Sequence, residues 1–167
     1  MSPALPERPA PDALQPNSRH CFACGIQSAH GLRLRFYNDG HNACRAEVVL
    51  GDLHQGYPGI AHGGVVTAVL DEALTRAVLA GDFRRLTYTA RIEVRFRQPT
   101  PLHTPLTVRG RVERDRGRVI LSTATISLPD GTLTAEANGM LVAIPPETLA
   151  QMDTPEAGWQ VYPDDSA

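Results

Sequence analysis

The residues whose types and spacing suit chemistry lie in one stretch, His54-Gln55-Gly56-Tyr57-Pro58-Gly59-Ile60-Ala61-His62-Gly63-Gly64. It runs into an apolar segment, Val65 to Leu74, that contains Asp71. Two glycines are poor helix formers, but at a helix start they let a ligand approach the backbone amides of the first turn. Those amides lack intrahelical acceptors and sit at the positive end of the helix dipole. A carbonyl oxygen that gathers negative charge during acyl transfer is a fitting guest, so Gly63 and Gly64 are candidate oxyanion donors. The plain alternative is a helix start that needs glycine for packing.

Asp71 and Glu72 fall mid-helix among apolar neighbours. Glu72 has a partner in Arg76, one turn on, with the acid on the favourable N-terminal side. Asp71 has none. Thr67 and Thr75, four residues before and after it, share its face. A carboxylate on a mostly buried helix is costly unless it is hydrogen-bonded or functional, which makes Asp71 the candidate general base or nucleophile. His62 could orient substrate or simply begin the helix, and His54 could do the same from the loop. Thr89, at the head of a later strand, could hold a water or help orient Asp71. Strict alternation places it with Arg91 and Glu93, on the wrong face unless the strand bends.

These residues need a frame. Leu32 to Tyr37 reads as a strand, closed by Asn38-Asp39-Gly40 and followed by a hairpin partner from Ala43 to Leu50. A loop rich in glycine leads to one helix, His62 to Ala80, stopped by Gly81-Asp82. Four more strand-like stretches follow, Leu86 to Gln98, Leu106 to Glu113, Arg118 to Leu128 and Thr132 to Ile144. The first alternates Ile92, Val94 and Phe96 against Arg91, Glu93, Arg95 and Arg97. The third has mixed parity and could hold a bulge. The helix is apolar nearly all round, so it must be buried on most sides. An α+β domain answers this, with one curved antiparallel sheet wrapped around a central helix. Such a sheet leaves apolar surface, so self-association is expected.

Residues 1–19 carry Pro3, Pro6, Pro9, Pro11 and Pro16 and read as an extended, loosely held leader. Residues 20–146 form the domain, and an acidic tail, 147–167, is read as loosely held. The leader lacks a basic stretch followed by an apolar core, so it is not a signal peptide, and a cytoplasmic protein is expected. No apolar run approaches the roughly 20 residues of a membrane helix. The net charge of the 167 residues is -2, which speaks against a nucleic-acid binder. All 16 basic residues are arginine, ten of them between Arg84 and Arg118. That excess could meet the phosphates of an anionic ligand, with Arg91 and Arg95 as candidates, or be a solvated sheet face. Cys21 and Cys24 form a Cys-x-x-Cys pair near His20, His30 and His41. One such pair is half a zinc site and no second pair follows, so reduced structural thiols and no metal are expected.

Gly56-Tyr57-Pro58-Gly59-Ile60-Ala61-His62-Gly63-Gly64, with Asp71 seven residues beyond, resembles the phenylacetate-pathway (PaaI-type) branch of the hotdog-fold acyl-CoA thioesterases. Thr89-Ala90, Pro99, the closing strand from Ala135 to Ala143 and the Cys-Phe-x-Cys-Gly opening continue the resemblance. It covers residues 21 to 144. It implies a hotdog fold in homodimers or homotetramers, with active sites shared between chains and no cofactor. By analogy Asp71 is base or nucleophile, Gly63 with Gly64 polarises the thioester carbonyl, and Thr89 assists the acid. Some members carry Asn where this chain has Gly56. That departure matches members in which the His of His-Gly-Gly contributes, which favours His62. Two other functions fit the same fold: a dehydratase or hydratase on acyl thioesters, and a non-catalytic acyl-CoA binding module.

Overall fold

The computed structural model describes residues 5–6, 9–152 and 154–163. The elements are β1 (Tyr37–Asn38), β2 (Ala43–Val49), α1 (Gly63–Leu79), β3 (Thr87–Phe96), β4 (Pro105–Asp115), β5 (Val119–Ser127), β6 (Leu133–Ala143) and α2 (Pro146–Met152), with a single 3-10 turn at Asp52–His54. All strand pairs are antiparallel, in the order β1-β2-β4-β5-β6-β3. The sheet wraps α1 in the hotdog arrangement that the apolar helix calls for. Among the described residues no helix is long and apolar enough to cross a membrane.

Burial explains why α1 forms despite its start. Its two leading glycines each cost about 1 kcal/mol of helix propensity. Burying a single large side chain, such as Leu70 or Leu74, returns roughly 1.5–3 kcal/mol. Val66, Val69, Leu70, Ala73, Leu74 and Ala77 pack with Ala46, Leu106, Val108, Ile120, Ala124 and Leu141. Helix and sheet approach closely at Gly110, where a Cβ would lie 2.1 Å from the Ala73 carbonyl oxygen. No residue but glycine fits there.

The strand read over Leu32 to Tyr37 is shorter than its pattern suggests. Leu32, Leu34 and Phe36 do alternate inward. Their backbone bonds with neighbours from the N-terminal segment rather than in a regular ladder: Leu32 N–H to Phe22 O, Leu34 N–H to Ala23 O, and Gln15 N–H to Phe36 O. Arg33 has a positive φ of 49°, which interrupts the strand. The bulge expected in Arg118 to Leu128 is not in that strand, which alternates without a break; the extra residues lie in its neighbours, Thr134 of β6 and Glu113 of β4.

Within the segment read as a loose leader, Ala13 to Arg19 docks on the domain. Gln15 and Asn17 are buried. Gln15 Nε2 donates to the Arg76 carbonyl and to Asn38 Oδ1, and Asn17 Nδ2 donates to the Leu34 carbonyl. Asn17 also bridges to Gln160 from the far end of the chain. Arg76, only 1% exposed, is the reason. Its guanidinium contacts Glu72 at 2.7 Å and donates to Pro16 O and Asn17 Oδ1, with Phe36 and Trp159 rings beside it. A buried charge demands such a set of partners, and removing one partner of a buried pair costs about 3–5 kcal/mol. The tail read as loose contributes α2 and Trp159, whose indole N–H donates to the Phe83 carbonyl at 3.1 Å.

Candidate active site

His62 is the N-cap of α1, in extended conformation, and its Nδ1 accepts from the Gly64 N–H at 3.0 Å. With Nδ1 accepting, the neutral ring carries its proton on Nε2. The His62 carbonyl takes the Val65 and Val66 N–H groups. Of the first-turn amides, that of Gly63 is left without an acceptor among the described residues. Of the two candidate donors read from the sequence, Gly64 thus spends its N–H on the cap, and Gly63 keeps its own free. Gly63 and Gly64 are both exposed, and a Cβ on Gly63 would meet the Phe96 ring at 3.5 Å.

The loop before the helix holds this turn in place. Ile60 bridges to Pro101, Gln55 bridges to Ala61, and His62 N–H bonds to the His54 carbonyl at 2.8 Å. His54 Nδ1 accepts from Gly51 N–H, so one side of its ring serves the loop. Gly56 packs tightly: a Cβ there would come within 3.0 Å of His62 Cα. A side chain at that position would press on the residue that caps the helix, so glycine is the easiest fit.

Asp71 lies at the middle of α1, half-buried, and Thr89 Oγ1 donates to its Oδ1 at 2.7 Å. The strand does bend: the β3–β6 register shifts between Thr89 and Arg91, leaving Ala90 as an extra residue. That bulge turns Thr89 inward while Arg91 stays outside. A hydrogen bond to a carboxylate contributes about 1.5–3 kcal/mol, enough to select one rotamer of Asp71. Thr67 and Thr75 share the helix face, but their hydroxyls bond to the Gly63 and Glu72 carbonyls.

The structure thus brings Asp71 and Thr89 together, and His54, Gly56, His62, Gly63 and Gly64 together one helical span away. Arg91 and Arg95 join neither group. Both are exposed and flank Glu93, at 3.6 and 3.5 Å. Others of the arginine-rich stretch also have acidic neighbours, Arg85 with Asp115, Arg97 with Glu136 and Arg109 with Asp39. The bulk of that charge is a solvated sheet surface. Phe96, 54% exposed beside Gly63, is the neighbour that sequence reasoning missed, because its alternation assigns it to the core.

Cys21 and Cys24 form a thiol pair. A hydrogen bond from the Cys24 thiol holds Cys21 down to about 6, and the same bond together with burial pushes Cys24 up. Burial pushes the Cys44 thiol up as well. His20, His30 and His41 are exposed and take no part in the Cys21–Cys24 cluster.

Residues 58–135 match the model of the thioesterase superfamily. The acyl-coenzyme A thioesterase THEM4 of Mus musculus is 31% identical over 58% of this chain and 42% of its own length. A crystal structure described as a thioesterase superfamily protein is 31% identical with a TM-score of 0.67, over 74% of this chain and 60% of that one. The PaaI protein of E. coli, from the phenylacetic acid degradation operon, is 14% identical with a TM-score of 0.62, over 68% of this chain and 81% of its own. The chain spans less than half the length of the curated relatives it matches. Over residues 58–135 the chain is thus similar to the thioesterase superfamily, and its architecture is the hotdog fold of the solved structures it resembles.

Proposed function

We propose that this domain hydrolyses an acyl-coenzyme A thioester to the free acid and coenzyme A, as a homodimer or homotetramer with active sites shared between chains. The observation that carries the proposal is the half-buried Asp71 carboxylate, fixed by Thr89 on the same helix whose first turn offers a free Gly63 amide. The similarity to an acyl-coenzyme A thioesterase supports the substrate class. The thioester carbonyl oxygen accepts from the Gly63 N–H. Asp71 either takes a proton from water as it adds to the carbonyl carbon, or adds to that carbon itself. The tetrahedral intermediate then expels the coenzyme A thiolate; in the second route this leaves an acyl–Asp71 anhydride, which water hydrolyses to the free acid and the Asp71 carboxylate. His62 keeps the first turn wound and places Gly63.

The direct test is a panel of aromatic, short, medium and long acyl-CoAs with a thiol-detecting dye. At least one should release free thiol in step with enzyme concentration. A folded protein that binds acyl-CoA and releases none would turn the reading to a binding module. Thr89→Val should lower kcat about ten- to a hundredfold, the loss of one hydrogen bond to a charged group. Thr89→Ser, which keeps the hydroxyl, should recover most of it. Retained turnover in Thr89→Val with a loss in Thr89→Ser would show that the methyl packing matters and the hydroxyl does not.

A further inference from the structure

A second cluster lies on the other side of α1 from the Thr89 contact. Cys21, Phe22, Ala23, Cys24 and Gly25 make a tight turn in which Gly25 N–H bonds to Cys21 O at 2.8 Å and Cys24 N–H points at Cys21 Sγ at 3.5 Å. The turn requires glycine after the second cysteine, since a Cβ on Gly25 would lie 2.3 Å from Cys21 O. Both sulfurs are thereby presented to the helix. The missing third donor, absent from the neighbouring sequence, comes from α1. One ligand atom each of Cys21, Cys24 and Glu72 lies within 4.8 Å of the others.

Three further observations favour a cation. The cluster opens on a cavity of about 180 Å³ lined by Cys21, Cys24, Glu72, Thr75, Arg76 and Thr87, with room for a fourth, non-protein donor. Thr87 Oγ1 is buried there with no hydrogen-bond partner among the described residues, so a water held by an ion would satisfy it. The charges also close. Two thiolates and one carboxylate carry three negative charges, and a divalent cation with the buried Arg76 guanidinium carries three positive. A buried cluster of zero net charge avoids a large desolvation penalty, so a metal can enter without leaving an unbalanced charge. Two sulfurs and one oxygen suit a borderline-soft ion and not the hard, all-oxygen preference of magnesium or calcium.

We infer that Cys21, Cys24 and Glu72 form a zinc site that clamps the 21–25 turn onto the helix carrying Asp71. The ion is structural, because Glu72 and Asp71 leave the helix in directions about 100° apart and Asp71 is held by Thr89. This revises the expectation of unmetallated thiols, which rested on finding no second cysteine pair. The site is independent of the hydrolytic reading.

The test uses the full chain with reductant, stripped of bound metal by a chelator that is then dialysed away, with the metal removed and the free thiols both counted. Cobalt(II) serves as the probe, because thiolate ligation gives it an intense near-ultraviolet charge-transfer absorption. The expected result is a band that saturates at one equivalent of cobalt per chain and is abolished by one equivalent of zinc. Cys21→Ser and Cys24→Ser, checked for native circular dichroism, should each weaken cobalt binding at least about a hundredfold. Cys44→Ser should leave it unchanged. A reduced, folded chain with no such band would overturn the site. So would a band that survives in the Cys21 variant or disappears in the Cys44 variant.

Discussion

Asp71→Asn should lower the turnover of acyl-CoA hydrolysis at least about a hundredfold, the usual scale for losing a general base. The structure makes this substitution unusually clean. Asn has nearly the shape of Asp, and its Oδ1 can still accept from Thr89 Oγ1, now 2.7 Å from the carboxylate. The helix, the bulge in β3 and the rotamer all have reason to persist, so the change removes charge and basicity without removing position. Thermal unfolding should therefore shift little while kcat falls. The measurement is steady-state turnover on the best acyl-CoA, with unfolding followed on the same preparation. Near-normal turnover in a well-folded variant would remove Asp71 from the mechanism and leave the carboxylate a structural partner of Thr89.

Two inactive variants, Asp71→Ala and Gly63→Val, should restore one another when mixed. Gly63 and Asp71 are eight positions apart on α1, about 12 Å along the axis at 1.5 Å per residue. Both must come within about 3 to 4 Å of the reacting atoms of one thioester. A single straight helix cannot bring both there. A two-fold partner can, by laying one chain's Asp71 near the Gly63 of the other. The molecule has the surface for this. β3 is an edge strand, and Tyr88 and Phe96 on it are at least half exposed, with Phe96 against the Gly63 turn. A mixed dimer holds one site with both lesions and one with neither. Random exchange makes about half the dimers mixed, so activity should return to about a quarter of wild type. Light scattering should report a dimer or tetramer at the same concentration. If subunits demonstrably exchange and activity stays at the parental level, Asp71 works with groups of its own chain.

The legible parts of this protein are those written in side-chain periodicity. The helix bounds differ from the reading by one residue at each end, because apolar character all round and a Gly-Asp stop leave little choice. Asp71 stood out because nothing one turn away could neutralise it. Thr89 stood out less, since its inward turn depends on a bulge at Ala90, a backbone event that alternation alone does not encode. The fate of the Gly64 amide was not legible either. It depends on the His62 ring folding back over two residues, while the sequence shows only a His before two glycines. The leader was misjudged in weight for a similar reason. Proline content describes local backbone preference, whereas the burial of Gln15 and Asn17 is set by Arg76, some 60 positions along. Likewise the third donor of the cysteine cluster is close in space and remote in sequence.

The bridge between Asn17 and Gln160 carries a consequence for how the chain reaches its native state. During synthesis the segment around Asn17 leaves the ribosome well before the helix that bears Arg76, and longer still before Gln160. Until both are made, its buried amides have only part of their native partners: Leu34, Phe36 and Asn38 come early, whereas Arg76 and Gln160 do not. The sheet and α1 have their own contacts and can assemble first, with the closure of the two ends as the last step. Loop-closure entropy is lost before such distant contacts reward it, so that step is the slow one. In the interval the Arg76 guanidinium has Glu72 as its companion but lacks Pro16 O and Asn17 Oδ1. Docking of the two ends is thus what closes the charged seam around Arg76 against water.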